Sequence, residues 1–370
     1  MTKKLLFIDN TAHHLYTQRH LYSTFANLGY SVVLCCPNDS KYFYRLEHEG
    51  YKCVPITIDG KSFNLLKNII LIWQVYRIFK THMPDLVCSF TIKPNLFSAL
   101  ACKLLKIQVL PNITGLGHVF VKKGIVQHII TRLYKYAFAN LSYIIFQNKD
   151  DWQEFIKLKI LSTNTQVILV PGSGVDLAEF YYIPLSNRKE ITFLYAGRLL
   201  WDKGIGELID AFRSISKQYP MVKLHFIGDY FFANPSAISE EQMKLWQDEL
   251  GIIYHGMVDN VPDYIAASDC VILPSYREGM PRSLLEASSM GRPIITVNSA
   301  GCKDVVEDGV TGFMAKVRDV DSLVLAMQKL INLPFADRVQ LGLNGRHKME
   351  REFDQKIVIG KYLTMVNQLL

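Results

Sequence analysis

The sequence predicts two doubly wound α/β domains in tandem, facing each other across a cleft. Three observations carry that reading. The chain has 370 residues, and single cores stop growing at about 250–300 residues, so two cores are expected. Short apolar runs alternate with longer stretches of helical period, the pattern of parallel sheets covered by helices on both faces. The alternation then restarts after Pro171-Gly172-Ser173-Gly174.

Taken in order, Lys4–Asp9 reads as a strand ending at Asn10-Thr11, Arg19–Leu28 as a helix stopped by Gly29, and Ser31–Cys36 as a strand. A helix over Lys41–Glu49 and a strand around Cys53–Ile58 follow, then a helix over Leu65–His82 with Pro84 beyond its end. Leu86–Phe90, Gln108–Ile113 and Tyr143–Gln147 read as further strands. In the second half, Thr192–Ala196, Val222–Ile227, Ile252–His255, Cys270–Leu273 and Pro293–Val297 read as strands. Helices are expected at Ile205–Gln218, Arg282–Met290, Val320–Ile331 and Gln355–Leu370. The domains divide as 1–172 and 173–370, with the last helix packing back on the first domain. Ligands of such sheets bind beyond the carboxyl ends of the strands.

Composition narrows the setting. The seven cysteines are scattered and lie mostly in apolar runs, which fits buried thiols in a reducing compartment better than a disulfide framework. No CxxC pair, HExxH motif or acidic DxD cluster at a strand end is seen, so no metal is expected. The amino terminus carries no signal-peptide pattern. The most lipid-like stretch, Leu65–Phe79, is interrupted by Lys67, Asn68, Gln74 and Arg77 and falls short of the roughly 20 residues a bilayer needs. The expected location is cytoplasmic, peripheral on the inner face of the membrane.

The net charge of +7 is uneven: residues 1–170 hold 20 Lys+Arg against 9 Asp+Glu, and residues 171–370 hold 21 against 25. A basic first half points to an anionic partner such as phosphate or lipid headgroup. No nucleic-acid-binding motif accompanies it. Lys103, Lys106, Lys122, Lys123, Arg132 and Lys135 are interleaved with Leu104, Leu105, Val119, Phe120, Val121, Ile129 and Ile130. That mixture suits an amphipathic surface on anionic lipid.

Two motifs carry chemistry. In Pro274-Ser-Tyr-Arg-Glu278-Gly-Met-Pro281-Arg-Ser-Leu-Leu-Glu286, a strand ends, a loop carries Glu278, Gly279 and Met280, and Pro281 suits a first helical turn. Gly291 and Pro293 end that helix. Backbone N–H groups at its start favour anionic oxygens. Glu286, one turn inside, can face the same space as Glu278, and ionised carboxylates accept several bonds from sugar hydroxyls. In Gly197-Arg198-Leu-Leu-Trp-Asp-Lys203-Gly204, two cations follow a strand end, a good clamp for a diphosphate.

The spacing of Glu278 and Glu286, the Gly197–Gly204 run and Gly174-Val175-Asp176 together resemble the retaining GT-B glycosyltransferases of family 4. Ser89-Phe-Thr-Ile-Lys93-Pro-Asn95 and Asn112-Ile-Thr114-Gly115-Leu-Gly117 resemble the bacterial enzymes that add N-acetylhexosamine or a related sugar to polyprenyl-diphosphate-linked glycans. The resemblance implies a UDP-sugar donor, a lipid-linked acceptor and no cofactor. It implies that Arg198 and Lys203 bind the donor diphosphate, that Glu286 binds the ribose, and that Glu278, Gly279 and Met280 hold the donor sugar. Gly197, Asp229, Val258 and Pro281 join the donor site, with Thr114, Gly115 and Gly117 on the sugar's other side. Relatives carry a glycine-rich loop after the first strand; here that segment has no glycine, and Asn10, Thr11, Arg19 and Lys93 are the acceptor candidates. His118 is a candidate for the catalytic centre, with His13 and His14 as alternatives. The competing readings are a nucleotide-sugar epimerase of the same fold and a non-catalytic membrane-bound nucleotide-sugar binder.

Overall fold

The computed structural model describes residues 2–38, 40–58, 65–116, 125–232 and 234–370. The chain forms two compact units, one of Met1–Ser173 with Val358–Leu370, the other of Gly174–Ile357.

The first unit is built on a parallel sheet of seven strands: β1 (Lys4–Ile8), β2 (Ser31–Cys36), β3 (Lys52–Pro55), β4 (Leu86–Phe90), β5 (Gln108–Ile113), β6 (Tyr143–Phe146) and β7 (Gln166–Leu169), in spatial order 3-2-1-4-5-6-7. Every strand pair is parallel. The central β4, LVCSF, is buried at every residue, whereas the edge strand β3 is only partly covered. That is the burial a sheet with helices on both faces requires.

Alternate strand residues feed two cores. Leu6, Ile8 and Val87 pack with α4 (Leu65–His82), α5 (Ile92–Leu105), α6 (Ile125–Phe138) and α7 (Lys149–Lys157) through Leu71, Phe97, Tyr134 and Phe155. Leu5, Phe7 and Cys88 pack on the other face with α1 (Ala12–Thr17), α2 (Arg19–Asn27) and α3 (Lys41–His48). The closing helix, α15 (Gln355–Leu369), adds Val358, Tyr362, Met365 and Val366 to that second core.

The second unit has six strands: β8 (Ile191–Ala196), β9 (Val222–Ile227), β10 (Ile253–Tyr254), β11 (Cys270–Leu273), β12 (Ile294–Val297) and β13 (Gly312–Ala315), in order 10-9-8-11-12-13 and again all parallel. Its helices are α8 (Ile205–Gln218), α9 (Glu240–Leu250), α10 (Val261–Ala267), α11 (Arg282–Ser289), α12 (Cys302–Val305), α13 (Val320–Asn332) and α14 (Phe335–Lys348). Strand order reverses between β8 and β11 here, and between β1 and β4 in the first unit. Those two reversals locate each sheet's ligand crevice. Together the units make the two-domain GT-B fold.

Candidate functional site

In the second unit both sequence motifs fall on the reversal. The Gly197–Lys203 segment leaves β8 and ends in a 3₁₀ turn, Trp201–Lys203, before α8. The 274–281 loop leaves the neighbouring β11. The two loops are fastened together: the Tyr276 N–H donates to the Asp202 carbonyl at 3.0 Å. Gly204, at φ +71°, approaches so closely that a methyl group there would stand 2.1 Å from the Pro274 carbonyl oxygen. On the other side, the Leu199 N–H donates to the Asp229 carbonyl at 3.0 Å, and the Tyr195 hydroxyl donates to the Arg198 carbonyl at 2.8 Å. The Gly228 N–H donates to the Gly256 carbonyl at 2.9 Å, which brings in the 256–258 turn.

The charged side chains there form two ion pairs, Lys203–Glu278 and Arg282–Glu286. Lys203 donates from Nζ to Glu278 Oε1, and both side chains are largely buried. The expectation placed Lys203 on a diphosphate and Glu278 on a sugar; in the protein they hold each other. This satisfies two buried charges that would otherwise be costly. Glu278 is further fixed by its N–H, which donates to the Ala300 carbonyl at 2.9 Å. Burial, with the Glu278 charge adding to it, drives the Tyr195 phenol well above its ordinary range and pushes the Cys302 thiol up to about 12. Glu286 lies on α11, nearly buried, and accepts from Arg282 Nη2 at 2.7 Å. Burial raises its carboxyl above the ordinary value, with Arg282 opposing.

Arg198 is exposed, its guanidinium 5.0 Å from the centre of the Phe231 ring. Asp229 is exposed, Gly279 buried, and Met280 and Val258 are half-buried against the core. Pro281 departs from expectation. With extended φ −77°, ψ 104° it is the cap preceding α11, not a residue of its first turn, and its carbonyl accepts from the Leu284 N–H at 3.1 Å. The Asp319-Val320-Asp321 triplet opens α13, where the Asp319 side chain caps the helix by accepting from Ser322 N–H at 2.9 Å.

In the first unit the candidates scatter over several strand ends. Thr11 is the cap of α1, its hydroxyl oxygen accepting from the His14 N–H at 3.2 Å. Arg19 starts α2 with its guanidinium 5.0 Å from the Tyr16 ring centre. Asn10 is half-buried after β1, Lys93 lies in the first turn of α5, and Thr114 and Gly115 follow β5. Gly117, His118, Lys122 and Lys123 lie outside the described residues. The two first-half motifs have an internal task. Ser89 Oγ donates to Asn95 Oδ1 at 2.8 Å, Asn95 Nδ2 to the Asn112 carbonyl at 2.7 Å, and Asn112 Nδ2 to the Tyr362 hydroxyl at 2.7 Å. This buried chain ties β4, α5, β5 and α15 together.

The expected lipid-facing set divides. Leu104 and Ile129 are exposed, whereas Leu105 and Ile130 pack against the core and are withdrawn from it. Lys103 caps the Tyr136 ring at 3.9 Å, and Lys106 ends α5 in a left-handed turn. Sequence reasoning missed the larger feature. Leu66, Ile69, Ile70 and Trp73 form an exposed stripe on α4, at the spacing of one helical face. Among the described residues no helix is long and apolar enough to cross a membrane.

Two family models match the chain. Glycosyl transferases group 1 matches residues 182–348, and Glycosyl transferase 4-like matches residues 4–148. The chain is 25% identical over 360 residues to the N,N'-diacetylbacillosaminyl-diphospho-undecaprenol alpha-1,3-N-acetylgalactosaminyltransferase of Campylobacter jejuni, covering 92% of this chain and 91% of that one. It is 26% identical to the capsular polysaccharide biosynthesis glycosyltransferase CapM of Staphylococcus aureus, covering 90% and 89%. Among solved structures, Anabaena Alr3699/HepE in complex with UDP and glucose superposes with a TM-score of 0.78 at 19% identity over the whole of both chains. That last likeness concerns the fold.

Proposed function

Since the chain belongs to the glycosyltransferases, with a group 1 domain in its second half and a 4-like domain in its first, we propose that it moves a sugar from a UDP-sugar to a polyprenyl-diphosphate-linked saccharide during cell-surface glycan assembly. The sugar is an N-acetylhexosamine or related hexose, and the anomeric configuration is retained. The observation that carries this reading is the Lys203–Glu278 pair beside Arg198 at the β8/β11 reversal.

Glycosyl transfer leaves negative charge on the departing nucleoside diphosphate and positive charge on the anomeric carbon. Arg198 and Lys203 meet the first, and no metal takes part. Removing one preorganised group of this kind costs about 10²–10³ in rate. Glu278 is held by Lys203 until a diphosphate competes for the ammonium. It then accepts from donor-sugar hydroxyls. Glu286 accepts from the ribose hydroxyls.

The acceptor lipid implies a membrane, and the outer face of α4, α5 and α6 suits one. None of these three helices contains Asp or Glu, and they carry Lys67, Arg77, Lys80, Lys93, Lys103, Arg132 and Lys135. Leu66, Ile69, Ile70, Trp73, Leu104, Ile129, Leu133 and Tyr136 are exposed among them. Cations beside apolar side chains favour an anionic bilayer surface.

The test supplies purified protein with a panel of UDP-sugars and lipid-linked saccharides extracted from the producing cells. Labelled sugar should enter the lipid fraction, with UDP released only when the lipid is present. Conversion of the donor to its epimer without acceptor would establish the epimerase reading instead.

A further inference from the structure

The reversal between β1 and β4 in the first unit joins His14, one of the histidine candidates, to a carboxylate that the sequence did not pair with it. Asp9 follows the last residue of β1 and is fully buried. Its Oδ1 accepts from the Thr11 N–H at 3.0 Å, and its Oδ2 accepts from His14 Nδ1. The His14 ring stands edge-on to Phe90, the last residue of β4, with centroids 5.7 Å apart and planes at 88°. His14 therefore bridges the carboxyl ends of the two strands between which order reverses.

The same crevice stores backbone strain. Thr91, the residue after β4, has φ +64° and ψ 170°. Positive φ is a true outlier for a β-branched residue, and such outliers cluster at active sites and ligand clamps.

The buried carboxylate accepts, so the neutral ring carries its proton on Nδ1 and presents the Nε2 lone pair. The Gln18 side-chain amide nitrogen lies 3.4 Å from His14 Nε2. At that length the bond is weak and readily exchanged. The imidazole is one quarter exposed. It is thus a fixed, solvent-accessible acceptor in a ligand crevice, and a hydroxyl is the donor that suits it.

We propose that His14 receives a sugar hydroxyl of the lipid-linked acceptor, and that Asp9, which touches no substrate, is the positioning residue that binds Nδ1 and so turns Nε2 toward it. This rests on the glycosyltransferase reading above and adds the residue that recognises the acceptor sugar.

The experiment measures transfer from UDP-sugars to extracted lipid-linked saccharides, at graded extract concentration, for wild type, His14→Ala and Asp9→Asn. UDP affinity is measured separately by calorimetry. Loss of one hydrogen bond to substrate corresponds to an apparent acceptor KM raised about 5- to 10-fold. His14→Ala should show that rise with UDP affinity within about twofold of wild type, the split one acceptor-side hydrogen bond implies. Asp9→Asn should reproduce it, because its amide donates to Nδ1 and forces the proton onto Nε2. An imidazole ¹⁵N spectrum reads that tautomer directly, which separates it from simple misfolding. Wild-type acceptor kinetics in a folded His14→Ala protein overturn the proposal, as does an equal loss of UDP affinity. A wild-type protein inert toward every donor would instead remove the transfer reading itself.

Discussion

The Arg198 guanidinium lies 5.0 Å from the centre of the Phe231 ring, on a loop joined to its own by backbone pairing. Leu199 bridges to Tyr230, Leu200 to Ala237, and the Ile238 N–H donates to the Leu199 carbonyl at 3.0 Å. Phe231 is therefore presented to Arg198 by a zipped pair of loops. An exposed cation–π contact contributes about 0.5–1 kcal/mol. Phe231→Ala should lower kcat/KM for the donor about 2- to 5-fold, and Phe231→Tyr should restore most of it. Initial rates at varied UDP-sugar check this; equal losses in both variants would show that the ring's face is not what matters.

Lys203 and Glu278 occupy one ion pair, so their substitutions should not add. Lys203→Ala is expected to reduce turnover by about 10²-fold or more. Glu278→Gln should cost less, because the amide retains an acceptor for sugar hydroxyls. The double variant should resemble Lys203→Ala alone. Losses that multiply would mean the two side chains serve independent steps.

Gly204 has two reasons to be glycine: φ of +71° and the 2.1 Å distance from a would-be methyl to the Pro274 carbonyl. Gly204→Ala should destabilise the second unit by about 2–4 kcal/mol, strain and overlap together. Denaturant midpoints with unchanged slope would report it. A variant as stable as wild type would mean the β8 and β11 loops can separate freely.

Glu286 gives opposite pH signatures for folding and binding. Burial holds its carboxyl above the ordinary value, Arg282 opposes, and Glu179 adds to the rise. In the window between the unfolded and folded values the native state binds more protons, so this group's contribution to stability grows as pH falls. Ribose hydroxyls need the ionised form as acceptor, so UDP affinity should weaken over the same window. Calorimetric titration from neutral to mildly acidic pH should show the weakening in wild type and a flatter profile in Glu286→Gln. Parallel profiles would detach Glu286 from the nucleotide.

The strand alternation was legible because the buried strands are short, apolar and β-branched. Helix α5, IKPNLFSALACKLL, was not, because eight of its residues are buried and no polar face marks its period. The short α12 and the β13 strand lacked any periodic signal. Arg198, Lys203, Glu278 and Glu286 stood out because unlike charges follow strand ends. Their pairing was hidden: that Lys203 meets Glu278 depends on β8 lying beside β11, which no local spacing encodes. Ser89, Asn95 and Asn112 show the converse. Their motif-like polarity serves a buried network ending on Tyr362, far away in sequence. Asp9 and His14 are five apart but are joined across a strand-to-helix turn, where side-chain direction is set by the turn.

The α4–α6 face makes the last expectation. Arg77 covers the Trp73 ring at 4.6 Å and Lys103 the Tyr136 ring at 3.9 Å, so the cations sit directly beside the exposed apolar groups. Each basic side chain near an anionic surface contributes about 1 kcal/mol, screened by salt. Apolar burial adds about 25 cal/mol per Å² and is indifferent to salt. The protein should therefore co-sediment with phosphatidylglycerol-containing vesicles more strongly than with pure phosphatidylcholine, and rising salt should lower the binding toward the phosphatidylcholine level. Charge reversal at Arg77 and Lys103 should weaken the salt-sensitive part. Ile70→Glu should remove the salt-resistant part by placing a carboxylate in the middle of the stripe, where Leu66, Ile69 and Trp73 surround it on the exposed face. Because Ile70 is itself more than half exposed, this substitution should leave the melting temperature unchanged, so lost sedimentation would report the surface and not the fold. Equal binding to neutral and anionic vesicles, or none to either, sinks the docking face.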